Sequence, residues 1–113
     1  MSILQPQSRV SATVASKLTA VVDLCAKHRV RRLALFGSGT TDRFDAKKGS
    51  DLDFLVDFEP MSPRDHAQAY FGLMEDLQHL LGVRADLVEA GASRNPYFQE
   101  AVRNTQVVLF EAA

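Results

Sequence analysis

The apolar residues of this chain recur first at the spacing of a helix. From Ser11 onward they follow steps of three and four residues, which place them on one side of a helix: Val14, Leu18, Val21, Val22 and Cys25. The basic residues from Arg29 to Arg32 indicate the end of this helix. Residues 1–10 are polar and include Pro6, so we expect a loose N-terminal arm at 1–10 followed by a single domain at 11–113.

Further along the chain, short runs of apolar and β-branched residues indicate strands. They cover about Arg32–Phe36, Leu52–Phe58, Arg84–Glu89 and Gln106–Phe110. Between the first two runs, residues 39–49 are polar and of mixed charge, which predicts a short helix from Ser38 and then a loop.

Cap signals predict two further helices. Ser62-Pro63 with Asp65 has the pattern of a capping box with proline in the first turn, and Gly82 is a favourable residue for ending the long helix that follows. Asn95-Pro96 predicts the same kind of start for a short helix to about Arg103. We expect the apolar stripe of the long helix to face the sheet: Tyr70, Leu73, Met74, Leu77, Leu80 and Leu81.

Composition and charge narrow the class of protein. A chain of 113 residues with 46% hydrophobic and 24% charged residues is typical of one soluble globular domain. A formal net charge of -1 argues against a dedicated nucleic-acid binder, so we expect no direct DNA or RNA binding. We expect no membrane association, because no apolar run approaches a membrane span and the N-terminus lacks a signal-peptide pattern. The single Cys25 predicts a buried, reduced thiol in a cytoplasmic protein.

Gly37-Ser38 closes the first predicted strand. Gly37 has no Cβ, so it allows a sharp exit from a strand and close approach of the backbone to a ligand, while Ser38 can cap a following helix. Amide N–H groups at such a turn attract phosphate oxygens. The pair therefore predicts a phosphate-binding turn, although a Gly-Ser after a strand is most often a plain turn when it occurs alone.

Acidic residues on the next strand predict a metal site. Side chains at i and i+2 of a strand share a face, so Asp51 and Asp53 lie together, and carboxylate oxygens favour Mg²⁺ or Mn²⁺ over zinc. Asp86, on another predicted strand, is the candidate third acid of a site for two metal ions. An Asp-x-Asp can also be a solvated strand end, but this one interrupts an otherwise buried strand, where unpaired charge would be costly. The three histidines lack the spacing of zinc ligands.

Several segments resemble the minimal nucleotidyltransferases, single-domain members of the polymerase-beta-like nucleotidyltransferase superfamily: Leu35–Ser38, Ser50–Val56, Asp86–Val88, Asn95–Phe98 and Val108–Phe110. The resemblance covers about residues 30–111. It implies an α/β (α+β) fold, the nucleotidyltransferase fold, with a small mixed β-sheet and helices packed mainly on one face. It also implies an enzyme that moves a nucleoside monophosphate from a triphosphate, usually AMP from ATP.

The resemblance also assigns roles to individual residues. It implies that Gly37 and Ser38 hold the triphosphate and that Asp51 and Asp53 bind both Mg²⁺ ions. It further implies that Asp86 binds the catalytic metal and helps to deprotonate the acceptor hydroxyl. The expected chemistry is in-line displacement at the α-phosphorus with pyrophosphate leaving, for which positioning and charge neutralisation suffice.

Small members of this family resemble antitoxins whose partner is a helical HEPN-domain ribonuclease toxin. The resemblance implies that the antitoxin neutralises that toxin by transferring AMP to a tyrosine hydroxyl on it, or by binding it. A homo- or hetero-oligomer is compatible with the sequence. Two alternatives stay open: a non-catalytic binding antitoxin, and a transferase for a small molecule of the aminoglycoside type, which fits poorly because such enzymes usually need an additional domain.

The binding alternative is kept open by the segment after Ser38. Many members have an arginine there, whereas this chain has Gly39-Thr40-Thr41-Asp42 before Arg43 and a longer interval before Asp51. An arginine would suit the charge of a phosphate. Arg43 and Lys47-Lys48 are basic residues that could replace it, but they are equally well explained as solvated surface residues.

Overall fold

The computed structural model describes residues 2–3, 12–37 and 52–112 of the chain. These residues form the following elements in order: β1 (Ser2–Ile3), α1 (Ala12–Ser16), α2 (Leu18–Lys27), β2 (Val30–Phe36), β3 (Leu52–Phe58), α3 (Pro63–Leu81), β4 (Ala85–Glu89), α4 (Pro96–Thr105) and β5 (Val107–Glu111).

Over the described residues, the strands form one sheet in the order β1-β5-β2-β3-β4. Strands β3 and β4 run parallel, and the other neighbouring pairs are antiparallel. A parallel pair needs a crossover connection, which α3 supplies between β3 and β4. The predicted small mixed sheet is therefore confirmed.

One face of the sheet carries the hydrophobic core, which α1, α2 and α3 cover. Alternate residues of the strands point toward these helices and are buried there: Leu33, Leu35, Leu52, Phe54, Val56, Ala85 and Leu87. On the other face, α4 packs against β2, where the rings of Phe36 and Phe98 meet edge to face at 5.6 Å. The helices thus lie mainly on one face, as predicted.

Helix α3 begins and ends at the predicted signals. The Ser62 hydroxyl oxygen accepts a hydrogen bond from the Asp65 N–H at 3.2 Å, and Pro63 occupies the first turn. Gly82 ends the helix with φ of 70°, and its N–H donates to the Gln78 carbonyl. The predicted stripe faces the core, with its members buried or half-buried: Tyr70, Leu73, Met74, Leu77, Leu80 and Leu81.

The predicted first helix, in contrast, is broken into α1 and α2. Lys17 separates them because its backbone, with φ of -119° and ψ of 18°, leaves the helical region. Beside the break, the Ser16 hydroxyl donates to the Thr13 carbonyl at 3.0 Å, which gives the backbone a non-helical partner. The apolar stripe runs across the break, so spacing alone predicted one helix.

The prediction that the basic residues near Arg29 belong to a helix end is also corrected. Helix α2 ends at Lys27, Arg29 turns the chain with φ of 59°, and β2 begins at the buried Val30, earlier than predicted. Arg31 lies in the strand with its side chain exposed and paired to Asp57 at 2.7 Å. Its charge is thus explained by a cross-strand ion pair.

The remaining differences concern the ends of elements. Ser2–Ile3 pair with β5, so part of the segment predicted as a loose arm adds an edge strand to the sheet. Helix α4 continues to Thr105, past the predicted Arg103. The helix and loop predicted from Ser38 lie outside the described residues, as does most of the arm. No helix in the described ranges is long and apolar enough to cross a membrane.

Candidate active site

Two of the predicted site acids lie side by side in the sheet. Asp53 of β3 and Asp86 of β4 are register partners, so their backbones are one strand spacing apart, about 4.8 Å. Leu52 and Phe54 point into the core, and Asp53 between them takes the opposite face. Asp53 is half-buried and Asp86 is exposed. The fold therefore brings these two carboxylates together on the face away from α1, α2 and α3.

Gly37 brings the end of β2 against the same acid. Phe36 pairs with Asp53 across the antiparallel strands, and Gly37 follows with φ of 73°, a conformation that favours glycine. A Cβ at this position would lie 3.1 Å from Oδ2 of Asp53. Because Gly37 has no side chain, the turn can approach this carboxylate closely. Binding of a phosphate by this turn stays a prediction.

A residue that the sequence did not reveal also contacts this turn. The Gly37 N–H donates a hydrogen bond of 3.0 Å to the hydroxyl oxygen of Thr105, at the end of α4. The two residues are 68 positions apart in the sequence, and a threonine near a helix end has no distinguishing local signal. Only the packing of α4 against β2 brings them together.

The other predicted site residues lie outside the described part of the chain. Ser38 and Asp51 belong to this group. The basic residues Arg43 and Lys47-Lys48, which are not among the predicted site residues, also lie outside the described ranges. Within the described ranges, no three acidic, histidine or cysteine side chains cluster as a metal site. Binding of metal ions by Asp51, Asp53 and Asp86 together therefore stays a prediction.

Two of the histidines pair with single carboxylates elsewhere in the fold. His28 of the α2–β2 turn hydrogen-bonds Asp76 of α3 at 2.7 Å, and His66 of α3 hydrogen-bonds Glu89 of β4. The hydrogen bond from His28, followed by that from Lys27, lowers the pKa of Asp76. These contacts join elements of the fold.

An open cavity of about 440 Å³ lies between α3 and the outer edge of β4. Its lining is mostly apolar and includes Tyr70, Phe71 and Leu87, while its acidic member, Glu89, is bonded to His66. Such a lining offers little to a triphosphate, which needs positive charge or metal ions. Asp53 and Asp86 do not line this cavity.

Comparison with known proteins agrees with this geometry. The model of the nucleotidyltransferase domain family matches residues 20–109. Protein adenylyltransferase MntA of Thermococcus cleftensis is 34% identical over 86 residues, which cover 76% of this chain and 82% of that protein. A solved structure of a candidate minimal nucleotidyltransferase is 37% identical with a TM-score of 0.57, covering 84% of this chain and 91% of the other.

A more distant structure shares the fold. It contains a tri-AMPylated HEPN toxin of Shewanella oneidensis in complex with an MNT antitoxin, and the matched chain has a TM-score of 0.58 at 18% identity. The match covers 87% of this chain and 72% of that one. The family match runs from α2 into β5 and includes both described acids. The resemblance seen in the sequence is thereby confirmed, and the chain belongs to the nucleotidyltransferase domain family, whose substrates are nucleotides.

Proposed function

We propose that this protein transfers AMP from ATP to a tyrosine hydroxyl of a partner HEPN ribonuclease toxin and thereby acts as its antitoxin. The observation that carries the proposal is the register of β3 and β4, which sets Asp53 beside Asp86. The Gly37 turn lies against the same carboxylate. A backbone turn that can bind phosphate, next to a pair of carboxylates that can bind metal ions, suits the transfer of a nucleotide.

The relatives support a protein as the acceptor. The Thermococcus cleftensis relative is named a protein adenylyltransferase. The Shewanella oneidensis structure pairs an MNT antitoxin with an AMPylated HEPN toxin. In the described part of this chain, only α4 packs on the sheet face that carries the acids, and Leu55 and Val88 are half-buried there. Among the described residues, this face of the sheet is therefore covered only in part.

The donor set of the site fits Mg²⁺, with Mn²⁺ as an alternative. Asp53 and Asp86 present carboxylate oxygens, which hard divalent cations prefer, and β3 and β4 hold them in adjacent positions. We assign Asp51 as the further ligand, because it shares a face with Asp53 in the strand pattern. When bound, such ions neutralise the charge of the triphosphate and lower the pKa of the acceptor hydroxyl.

The proposed roles of the chain's own groups follow from these positions. Gly37 and Ser38 orient the triphosphate, so that the acceptor oxygen attacks the α-phosphorus in line with the bond to the leaving pyrophosphate. Asp86, which is exposed, accepts the proton of the tyrosine hydroxyl as the new phosphorus–oxygen bond forms. The bond to the bridging oxygen breaks, and pyrophosphate carries that electron pair away.

A binding antitoxin without catalysis is the second candidate. It is favoured by the sequence after Ser38, which lacks the arginine that many relatives have. Transfer to a small molecule is less favoured, because such enzymes usually need an additional domain to build the acceptor pocket. We also propose that the protein acts in the cytoplasm, where its toxin would act.

The test is an incubation with ATP and Mg²⁺, with and without a purified HEPN-domain ribonuclease from the same organism, followed by intact-mass spectrometry. We expect the partner to gain one or more AMP units with the wild type and none with Asp86→Asn. Asp57→Asn is the matched control, because Asp57 lies on β3 in an ion pair with Arg31 and should retain transfer. If the partner loses its ribonuclease activity without any gain in mass, the protein is instead an antitoxin that acts by binding alone.

A further inference from the structure

Thr105 is tied to both α4 and the turn at the site. Its hydroxyl donates to the Ala101 carbonyl at 2.7 Å, one turn earlier in the helix. Its oxygen accepts the Gly37 N–H at 3.0 Å. A carbonyl can only accept and an amide can only donate, so the two partners fix the orientation of the hydroxyl. The side chain is thus a defined link between the helix and the backbone of Gly37.

The helix that carries Thr105 is itself held in place. Asn95 caps its N-terminus by accepting from the N–H of Tyr97 at 2.9 Å. The ring of Phe98 packs edge to face on Phe36, the residue just before Gly37. Helix α4 therefore contacts the turn through a ring pair on one side and through the Thr105 hydroxyl on the other.

The backbone of Gly37, to which Thr105 is hydrogen-bonded, lies beside Asp53. Phe36 is the register partner of Asp53, and Gly37 comes so close to Asp53 that an added Cβ would be 3.1 Å from its Oδ2. A small rotation of the Gly37 peptide would change this approach to Asp53. The position of α4 is thereby coupled to the geometry of the site.

We propose that Thr105 is a positioning residue for the nucleotide, because it fixes the Gly37 turn beside Asp53. The inference rests on the proposed function and deepens it. The Gly37 N–H is bonded to Thr105, so Gly37 would contribute to nucleotide binding through the position of its turn beside Asp53 and not through this amide. Thr105 itself touches no reacting atom and acts through the turn.

The test compares Thr105→Val, which keeps the shape but removes the hydroxyl, with Thr105→Ser, which restores it. Thr19→Val is the matched control, because Thr19 is exposed on α2. The dissociation constant of a fluorescent ATP analogue with Mg²⁺ is measured for each, together with the melting temperature and the KM and kcat of transfer. We expect Thr105→Val to bind about tenfold more weakly, the value of one hydrogen bond, with KM rising more than kcat falls.

The expected pattern also requires Thr105→Ser to recover most of the affinity and Thr19→Val to bind like the wild type. A dissociation constant of Thr105→Val within twofold of the wild type would overturn the inference, whatever happens to its melting temperature. So would a serine variant that binds as weakly as the valine variant. If Thr105→Val does not fold, hydrogen–deuterium exchange of the Gly37 amide is measured in the wild type instead. Fast exchange of this amide would contradict its hydrogen bond to Thr105 and overturn the inference.

Failure of this inference is separable from failure of the proposed function. If the wild type binds the nucleotide but modifies no partner, AMP transfer is refuted while the binding comparison still tests Thr105. If the wild type transfers AMP and Thr105→Val binds and transfers equally well, the proposed function stands and Thr105 has no positioning role.

Discussion

Replacing Gly37 by alanine should damage the site more than the fold. Gly37 has φ of 73°, where an L-residue costs about 1–2 kcal/mol because its Cβ crowds the neighbouring carbonyl. In addition, the new methyl group would lie 3.1 Å from Oδ2 of Asp53, so this carboxylate must shift by a few tenths of an ångström. The variant thus combines a general backbone cost with a local displacement of a proposed metal ligand.

Gly82 offers a control for the backbone cost. It ends α3 with φ of 70°, nearly the same conformation, but an added Cβ there would meet no atom within 4 Å. Gly82→Ala should therefore lose about 1–2 kcal/mol of stability and keep its activity. Gly37→Ala should lose a similar stability and, in addition, roughly 10- to 100-fold in the rate of AMP transfer, as expected for a slightly misplaced reacting geometry.

Urea unfolding gives the free energy of unfolding of both variants, and single-turnover transfer at saturating ATP and Mg²⁺ gives the rate. The comparison is made at a temperature where all three proteins are folded. The reasoning is refuted if Gly37→Ala transfers AMP at the wild-type rate, or if Gly82→Ala loses as much activity as Gly37→Ala.

The remaining predictions concern stability and the thiol. The hydrogen bonds from His28 and then from Lys27 lower the pKa of Asp76. The stabilisation that ionised Asp76 gives to the fold is therefore complete above the ordinary carboxyl pKa of about 3.9. It is lost as pH falls through the lower pKa that Asp76 has in the folded protein. Asp76→Asn should lower the melting temperature at pH 7, and its difference from the wild type should shrink in scans taken well below pH 4. Burial raises the pKa of the Cys25 thiol to about 12, so a thiol reagent at pH 8 should label it only after unfolding, and rapid labelling of the native protein would contradict its burial. Leu73→Ala should cost about 2–5 kcal/mol in urea unfolding, since this side chain is fully buried between α3 and the sheet, and a loss below 1 kcal/mol would contradict that packing.

The parts of the fold that sequence could predict are those with local signals. Helix α3 was predicted because Ser62 and Gly82 mark its ends, and both act as caps in the structure. Asp53 and Asp86 could be placed in strands because each interrupts a short run of apolar residues. Their direct pairing depends on the register between β3 and β4, which the pattern of either strand alone does not specify.

The parts that sequence could not predict depend on distant contacts. Arg31 was predicted to belong to a helix end. In the structure it lies in β2, where its side chain pairs with Asp57 of the next strand. Ser2–Ile3 are strand residues only because β5 is beside them. Thr105 binds the site turn across 68 positions. In each case the deciding partner lies far away in the chain, so local composition carries no sign of it.

Asp53 and Asp86, paired across β3 and β4, should act as one unit in AMP transfer. The most direct test is a double-mutant cycle of single-turnover transfer to the partner, with Asp53→Asn, Asp86→Asn and the double variant, after circular dichroism has shown that each is folded. Residues that act as a unit are strongly non-additive, so we predict that each single variant loses nearly all activity and that the double variant is little worse. Transfer by Asp86→Asn within a few-fold of the wild type, or losses that multiply in the double variant, would contradict the account.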